Sequence, residues 1–234
     1  MLDLKSPMNK AWITYGLEGH SLFEYSSVDN LYRNIGAKEI RLNATPYYGT
    51  GHVVYDEHFY YHWADTNKIV RFDLNSAQVT TVRIIPDLVY KRNKALKNYG
   101  YLYQSQSMFV HFNVDQNGLW IVYAGENENI TVAMLNPENL DIIKSVNVNV
   151  GSGSKGGALL SCGKMYTLKH HDREVSYFDE EHDLWLGHAN KTMRLGFKNP
   201  FKDTSMISYD PNTNKIMSWD KGKLLLSPLL LENL

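Results

Sequence analysis

One eight-residue segment occurs twice, and its spacing limits the folds open to the chain. Thr66-Asn67-Lys68-Ile69-Val70-Arg71-Phe72-Asp73 returns as Thr213-Asn214-Lys215-Ile216-Met217-Ser218-Trp219-Asp220, 147 residues later (213 − 66). Each copy opens on a turn signal, runs through apolar residues and closes on an aromatic residue followed by Asp. The four-stranded blades of a propeller recur roughly every 40–50 residues. Three blades of about 49 residues account for the offset. At that size the 234 residues hold about five blades. Arithmetic alone leaves four or six open, a single match is also compatible with chance, and a β-sandwich is the rival fold. A sandwich, however, has no reason to repeat at this distance.

The rest of the chain supports an all-β meander. Turn signals recur at short intervals, among them the segments at 46–51, 56–58, 64–67, 115–118, 125–129, 136–139 and 210–214. Between them lie the short β-rich runs HVVY, FYYHW, KIVRF, LWIVYA, ITVAML, KMYTL and KIMSW. Sixteen Tyr and five Trp favour strands. Helical periodicity is almost absent, and residues 89–99 read better as a basic loop than as a helix. The expected architecture is one domain, residues 1–234, built as a five-bladed β-propeller with four-stranded antiparallel blades. Such a ring is expected to close by pairing the two chain ends in one sheet, because closure hides edges. KLLLSPLLL then becomes a buried closing strand that ends at Pro228. GSGSKGG, residues 151–157, reads as a flexible connection between blades.

A formal charge of -1 argues against nucleic acid or an anionic membrane recognised through bulk charge. No segment is long and apolar enough for a transmembrane helix, and MLDLKSPMNK lacks the apolar core of a signal peptide. The single Cys, Cys162, rules out an internal disulfide.

Catalytic and metal-binding patterns are weak. His52, His58 and His62 fall within GHVVYDEHFYYHW, but zinc needs three or four converging ligands. A turn separates His52 from the other two, so inter-strand or surface histidines are the simpler reading. The polar stretches 169–174 and 180–188 read as solvated loops. Glycan hydrolysis needs two carboxylates about 5–10 Å apart. Asp56, Asp65, Asp73, Asp115, Asp179 and Asp220 all qualify by type, yet most sit in turns, where Asp bonds the local backbone. Residues 91–97, KRNKALK, form the one local basic cluster, a solvated loop or a polyanion contact. Asn43, Asn129 and Asn190 match the N-glycosylation pattern.

Several long segments carry a family resemblance. PYYGTGHVVYDEHFYYHWADTNKIVRFDL, VDQNGLWIVYAGENENITVAMLNPENL, CGKMYTL and MISYDPNTNKIMSWDKGKLLL resemble, in order, an olfactomedin domain. The likeness runs from about Trp12 to Leu231. The ending SWDKGKLLLSPLLL is most similar to the gliomedin and colmedin branch. The resemblance implies a five-bladed propeller and a non-catalytic extracellular recognition module in adhesion, synapses or matrix. It implies a cell-surface or matrix protein as partner, and oligomerisation through segments outside this chain. A glycan hydrolase or glycan-binding domain is the alternative. The family also pairs a Cys near its N-terminus with the position of Cys162, for which this chain holds no partner.

The resemblance further implies calcium in the propeller channel, with Asp115 as a ligand. The remaining carried-over positions hold Gly157 followed by Ala158, and Ile207 followed by Ser208, where the family supplies Asn and Asp side chains. Calcium takes six to eight hard oxygens. Asp115 alone keeps its ligand side chain, and Asp210 lies about 7 Å along the strand from Ser208. The calcium site is therefore expected to be lost or very weak. Asp115 is expected near the channel, held by amides, water or a cation, with a turn-capping role as the plainer alternative.

Overall fold

The computed structural model describes residues 1–3, 5, 9–90, 100–104, 106–169, 174–191, 195–210, 213, 215–228 and 230–231. The basic cluster at 91–97 and most of the 169–174 stretch lie outside them. Five sheets of three or more antiparallel strands follow one another along the chain. The first region holds β1 (Ala11–Ile13), β2 (Glu18–Gly19), β3 (Ser21–Tyr25), α1 (Val28–Arg33), β4 (Lys38–Arg41) and β5 (Tyr47–Tyr48). There β1, β3 and β4 form the first sheet, while β2 and β5 pair by themselves. The second sheet is β6 (Val53–Tyr55), β7 (His58–His62), β8 (Lys68–Asp73) and β9 (Gln78–Ile84). The third is β10 (Val110–Asp115), β11 (Gly118–Ala124), β12 (Asn129–Leu135) and β13 (Ile142–Gly151). The fourth holds β14 (Gly157–Ser161), β15 (Lys164–Leu168), β16 (Val175–Asp183), β17 (Ala189–Lys191) and β18 (Leu195–Lys198). The fifth is β19 (Thr204–Asp210), β20 (Lys215–Asp220) and β21 (Lys223–Pro228), after which β22 (Leu230–Leu231) returns to pair with β18.

The first strands of four sheets, β6, β10, β14 and β19, lie side by side in that order. They form the inner wall of a five-bladed β-propeller. From β10 to β14 to β19 the sheets start 47 residues apart (157 − 110 and 204 − 157). The second and third sheets have four strands each.

Packing explains why one strand is apolar throughout. In β11, Leu119, Ile121 and Tyr123 pack on Tyr60, Ile69 and Phe112, between the second and third sheets. Trp120, Val122 and Ala124 point the other way, onto Leu160, Met165 and Leu184 of the fourth region. Side chains alternate along a strand, so a sheet clamped between two neighbours must be apolar on both faces. Trp12, Leu22 and Ile40 fill the seam between the first and second sheets with Phe59, Val70 and Phe72. Leu159, Phe178, Ile207 and Ile216 fill the seam between the fourth and fifth.

Four expectations need correction. The repeated segments occupy unequal places: Lys68–Asp73 is the third strand of its sheet, whereas Lys215–Asp220 is the second. Their likeness reflects what any hairpin strand with a tight turn needs, not a blade period. Closure also differs. β21 pairs with β20, β22 crosses to β18, and β1 pairs with β3, so among the described residues the two end regions share no sheet. Lys223–Pro228 forms an edge strand of the fifth sheet rather than a buried one, with Leu226 45% exposed. The 151–157 segment is tied down as well: Lys155 Nζ pairs with Asp179 (2.7 Å) and Glu180 (3.0 Å), and its carbonyl accepts from the Gln104 amide. Lastly, EEHDLWLGH begins inside β16, where His182 is buried.

The short helix α1 was not legible from periodicity, because none of its residues is buried. Its ends explain it. Ser27 accepts from the Asn30 amide as N-cap, and Asn34 closes the last turn at φ 53.

Candidate functional site

The innermost strands enclose a narrow central cavity of about 50 Å³. Its lining includes Val53, His111, Asn113, Leu160, Ser208 and Asp210. Of the six aspartates matched to glycan hydrolysis by type, none lines it. Asp179 is held by Lys155 and the Thr167 hydroxyl (2.7 Å). Asp73 caps its own turn, accepting from the Asn75 and Ser76 amides. Asp56 and Asp65 sit in turns at φ 53 and 57. Asp220, fully buried, accepts from the amides of Phe201 (2.8 Å) and Asp203 (2.9 Å).

Asp115 ends β10 and does not line the cavity. Its Oδ1 accepts from the Asn117 amide (2.8 Å) and the Trp120 indole (2.8 Å). Its Oδ2 accepts from the Gly163 amide (2.7 Å) and the Asn117 side chain (3.2 Å). A carboxylate has about four lone-pair sites, and these four donors occupy them. Asp115 thus caps the β10–β11 turn and latches it to the β14–β15 turn of the next sheet. That second turn needs αL backbone at both central residues, Cys162 (φ 53) and Gly163 (φ 71). Cys162 is exposed there as a free thiol, and its amide donates to Gln116 Oε1 at 3.1 Å.

The carried-over calcium positions do come together, but around a different residue of β10. A Cβ built on Gly157 would lie 3.5 Å from Ile207 Cδ1 and 2.8 Å from Gln106 Nε2. His111, four residues before Asp115, hydrogen-bonds the Ile207 backbone and the Tyr103 hydroxyl (3.1 Å). Gln106 is 1% exposed, and neither atom of its amide has a protein partner. Calcium wants several charged oxygens. Around Gly157 stand the His111 imidazole and the Gln106 carboxamide, with Asn113, Ser208 and a single carboxylate, Asp210, in the cavity lining, while the Asp115 oxygens are engaged elsewhere. The signal for His111 was present in the sequence: His111, Asn113 and Asp115 are polar at alternate positions of an otherwise apolar strand, so they share one face.

The other histidines do not converge. His52 bonds the Thr14 hydroxyl (2.8 Å), His58 meets Asp73 (3.2 Å) and His62 bonds the Thr66 carbonyl (2.6 Å). Among the described residues, no three His, Cys, Asp or Glu side chains group as a metal site. Of the glycosylation-pattern positions, Asn43 and Asn190 are exposed and Asn129 is half-buried.

Burial sets the charge state of the interior. It pushes the His52 imidazole down to about 3 and that of His111 to about 4, and it lowers His182 as well. Unfolded, the same rings take up protons near pH 6.5. Over the interval between, the unfolded chain binds more protons, so stability must fall as the pH drops. The histidine contribution is complete above pH 6.5 and is lost progressively toward pH 4 and below. Denaturant unfolding across pH 4–6.5 should show a loss on the order of a few kcal/mol. A flat profile there would contradict the neutral, buried rings.

The Olfactomedin-like domain family matches residues 1–233. Relatives include myocilin of Macaca fascicularis and of Homo sapiens, each 27% identical over 223 residues. Myocilin of Oryctolagus cuniculus is 28% identical over the same length. Each alignment covers 94% of this chain but only 43–44% of the relative, so the chain spans less than half the length of these proteins. Among solved structures, the Neurospora crassa Pan2 WD40 domain aligns with a TM-score of 0.44 and 11% identity. That alignment covers 97% of this chain and 65% of that one, a likeness too distant to carry inference. With five antiparallel sheets in a ring and a family match over almost its whole length, the chain belongs to the olfactomedin-like domain family.

Proposed function

We propose that this domain is a non-catalytic extracellular recognition and adhesion module that binds a cell-surface or matrix protein at neuronal or synaptic contacts. Membership of the olfactomedin-like family over residues 1–233 carries the reading. Turns latched by buried aspartates suit it, because binding loops work best on a rigid scaffold. The ending SWDKGKLLLSPLLL supports placement in the gliomedin and colmedin branch. Segments outside this chain supply oligomerisation, and Asn43 and Asn190 carry glycans in a secreted or membrane-anchored parent. Cys162, exposed on its turn, pairs with a cysteine outside these residues. A glycan-binding face is the second reading, for which four aromatic residues exposed among those described, Tyr15, Tyr32, Trp185 and Phe201, offer stacking surfaces.

The test is capture on intact neuronal cells with the domain fused to an oligomerising scaffold, since a lone module binds too weakly to detect when avidity supplies much of the affinity. Recovery of a surface or matrix protein is expected. If binding survives protease treatment of the cells but not glycan removal, the glycan reading replaces it. Loss of binding to neither treatment would rule out both.

A further inference from the structure

Neutral groups stand in the channel where the resemblance implies an ion. His111 and Asp115 share one face of β10, and it is His111 that reaches the Ile207 backbone on β19. Its Nδ1 lies 3.1 Å from the Tyr103 hydroxyl, which leaves Nε2 for Ile207. The Ile207 contact favours the protonated ring, as a carbonyl does. Nε2–H therefore donates to the Ile207 oxygen, and Nδ1 accepts from Tyr103. A cation drawn to that carbonyl would meet the positive end of an N–H dipole.

The second carried-over position has no side chain. Gly157 opens β14 without a positive φ, so its backbone does not call for glycine; space does. A Cβ there would lie 2.8 Å from Gln106 Nε2. Gln106 belongs to the loop before β10, which is fastened to the entry of β14 on both sides. The Gln104 amide donates to the Lys155 carbonyl (2.9 Å) and the Gly153 amide to the Leu102 carbonyl (2.9 Å). The carboxamide thus arrives from the third sheet in the space of a side chain on the fourth. The third position, Ser208, offers a hydroxyl, and Asp210 accepts from the Thr213 hydroxyl at 2.7 Å. Buried carboxylates are costly without a cation, whereas a carboxamide and a neutral imidazole carry no charge to desolvate. This set does not fit calcium, which is bound through several charged oxygens.

We infer that Gln106 and His111 replace the channel ion in this chain. His111 ties the third sheet to the fifth through Ile207, and Gln106 packs the third sheet's loop against the fourth at Gly157, so the inner wall holds without metal. The test is made on the intact 234-residue chain. Gly157→Asn should lower the melting midpoint, because Gln106 must move to admit it. Adding Gln106→Ala should recover most of that loss, the non-additivity of two side chains competing for one space. A second variant rebuilds the ion's ligands, joining His111→Asp, Gly157→Asn and Ser208→Asp to Gln106→Ala. It should melt several degrees higher in millimolar calcium than in chelator, since a ligand specific to the folded state raises its stability. The parent chain should melt alike in both. Additive losses at Gly157 and Gln106 overturn the inference. So does a parent chain that gains stability from calcium, or a rebuilt variant that folds and ignores it. If the rebuilt variant folds under neither condition, the Gly157 and Gln106 pair decides.

Discussion

Asp115→Ala should lower the melting temperature by about 10 °C. The substitution orphans two buried donors, the Trp120 indole and the Gly163 amide, and unlatches the turn between the third and fourth sheets. Leaving buried donors unsatisfied costs about 1–3 kcal/mol each, so a loss of about 3–5 kcal/mol is expected. For a domain of this size each kcal/mol moves the midpoint by about 2–4 °C. Asp115→Asn should fall between, since it keeps one acceptor but turns an NH₂ toward donors. Melts with millimolar calcium and with chelator should coincide for wild type and variants alike, because a ligand specific to the folded state must raise its stability. A variant that melts within 2 °C of wild type would remove the latch. A calcium-dependent rise that vanishes in Asp115→Ala would restore Asp115 as a metal ligand.

Gly51→Ala should be comparably severe, through sterics rather than polarity. A Cβ there would meet the Val110 carbonyl oxygen at 2.2 Å and His111 Cα at 2.9 Å, both backbone atoms of β10 that cannot swing aside. The close approach is used: the Gly51 carbonyl accepts from the Phe112 amide at 2.6 Å, tying the second sheet to the third at the inner wall. Separating two backbones to admit a methyl group should cost about 3 kcal/mol or more. The readout is a denaturant midpoint with the slope unchanged. Gly36→Ala is the control, since nothing lies within 4 Å of its built Cβ; allowance must be made for its φ of 71, which is unfavourable for alanine. Equal losses at both positions would show that backbone conformation, not the contact, sets the cost.

All seven quoted strand runs became strands because each carried its own signal, β-branched and aromatic residues between turn residues. The strands missed in reading, such as β9 and β13, are polar and outermost, and QVTTVRI and IIKSVNVNVG bury few of their residues. Their partners, not their composition, make them strands. The blade number rested on length divided by a period taken from the repeat, which left four or six open, and that repeat joins a third strand to a second. Asp115 was legible as a turn residue from the Asp-Gln-Asn-Gly context. Its latch to Gly163 was not, because a contact 48 residues distant depends on how two sheets stack. Gln106 escaped notice for the same reason, whereas His111 was marked by its alternation with Asn113 and Asp115 along one apolar strand.

The seam between the fifth and first sheets sets the order in which the chain can finish folding. Sheets two, three and five pair only consecutive strands and the first skips only the two-residue β2, so each can form soon after it leaves the ribosome. The fourth waits only for β22. The bonds across the last seam span 192 residues from Tyr32 to Leu224 and 155 from Thr50 to Ser205. Until β19 and β21 have been synthesised, the side of the first sheet turned away from the second has no neighbour. Long-range contacts of this kind form late, and exposed apolar surface meanwhile invites other chains. During biosynthesis the nascent domain is therefore most exposed to misassembly along the first sheet, and the final thirty residues act as the cover that ends that exposure.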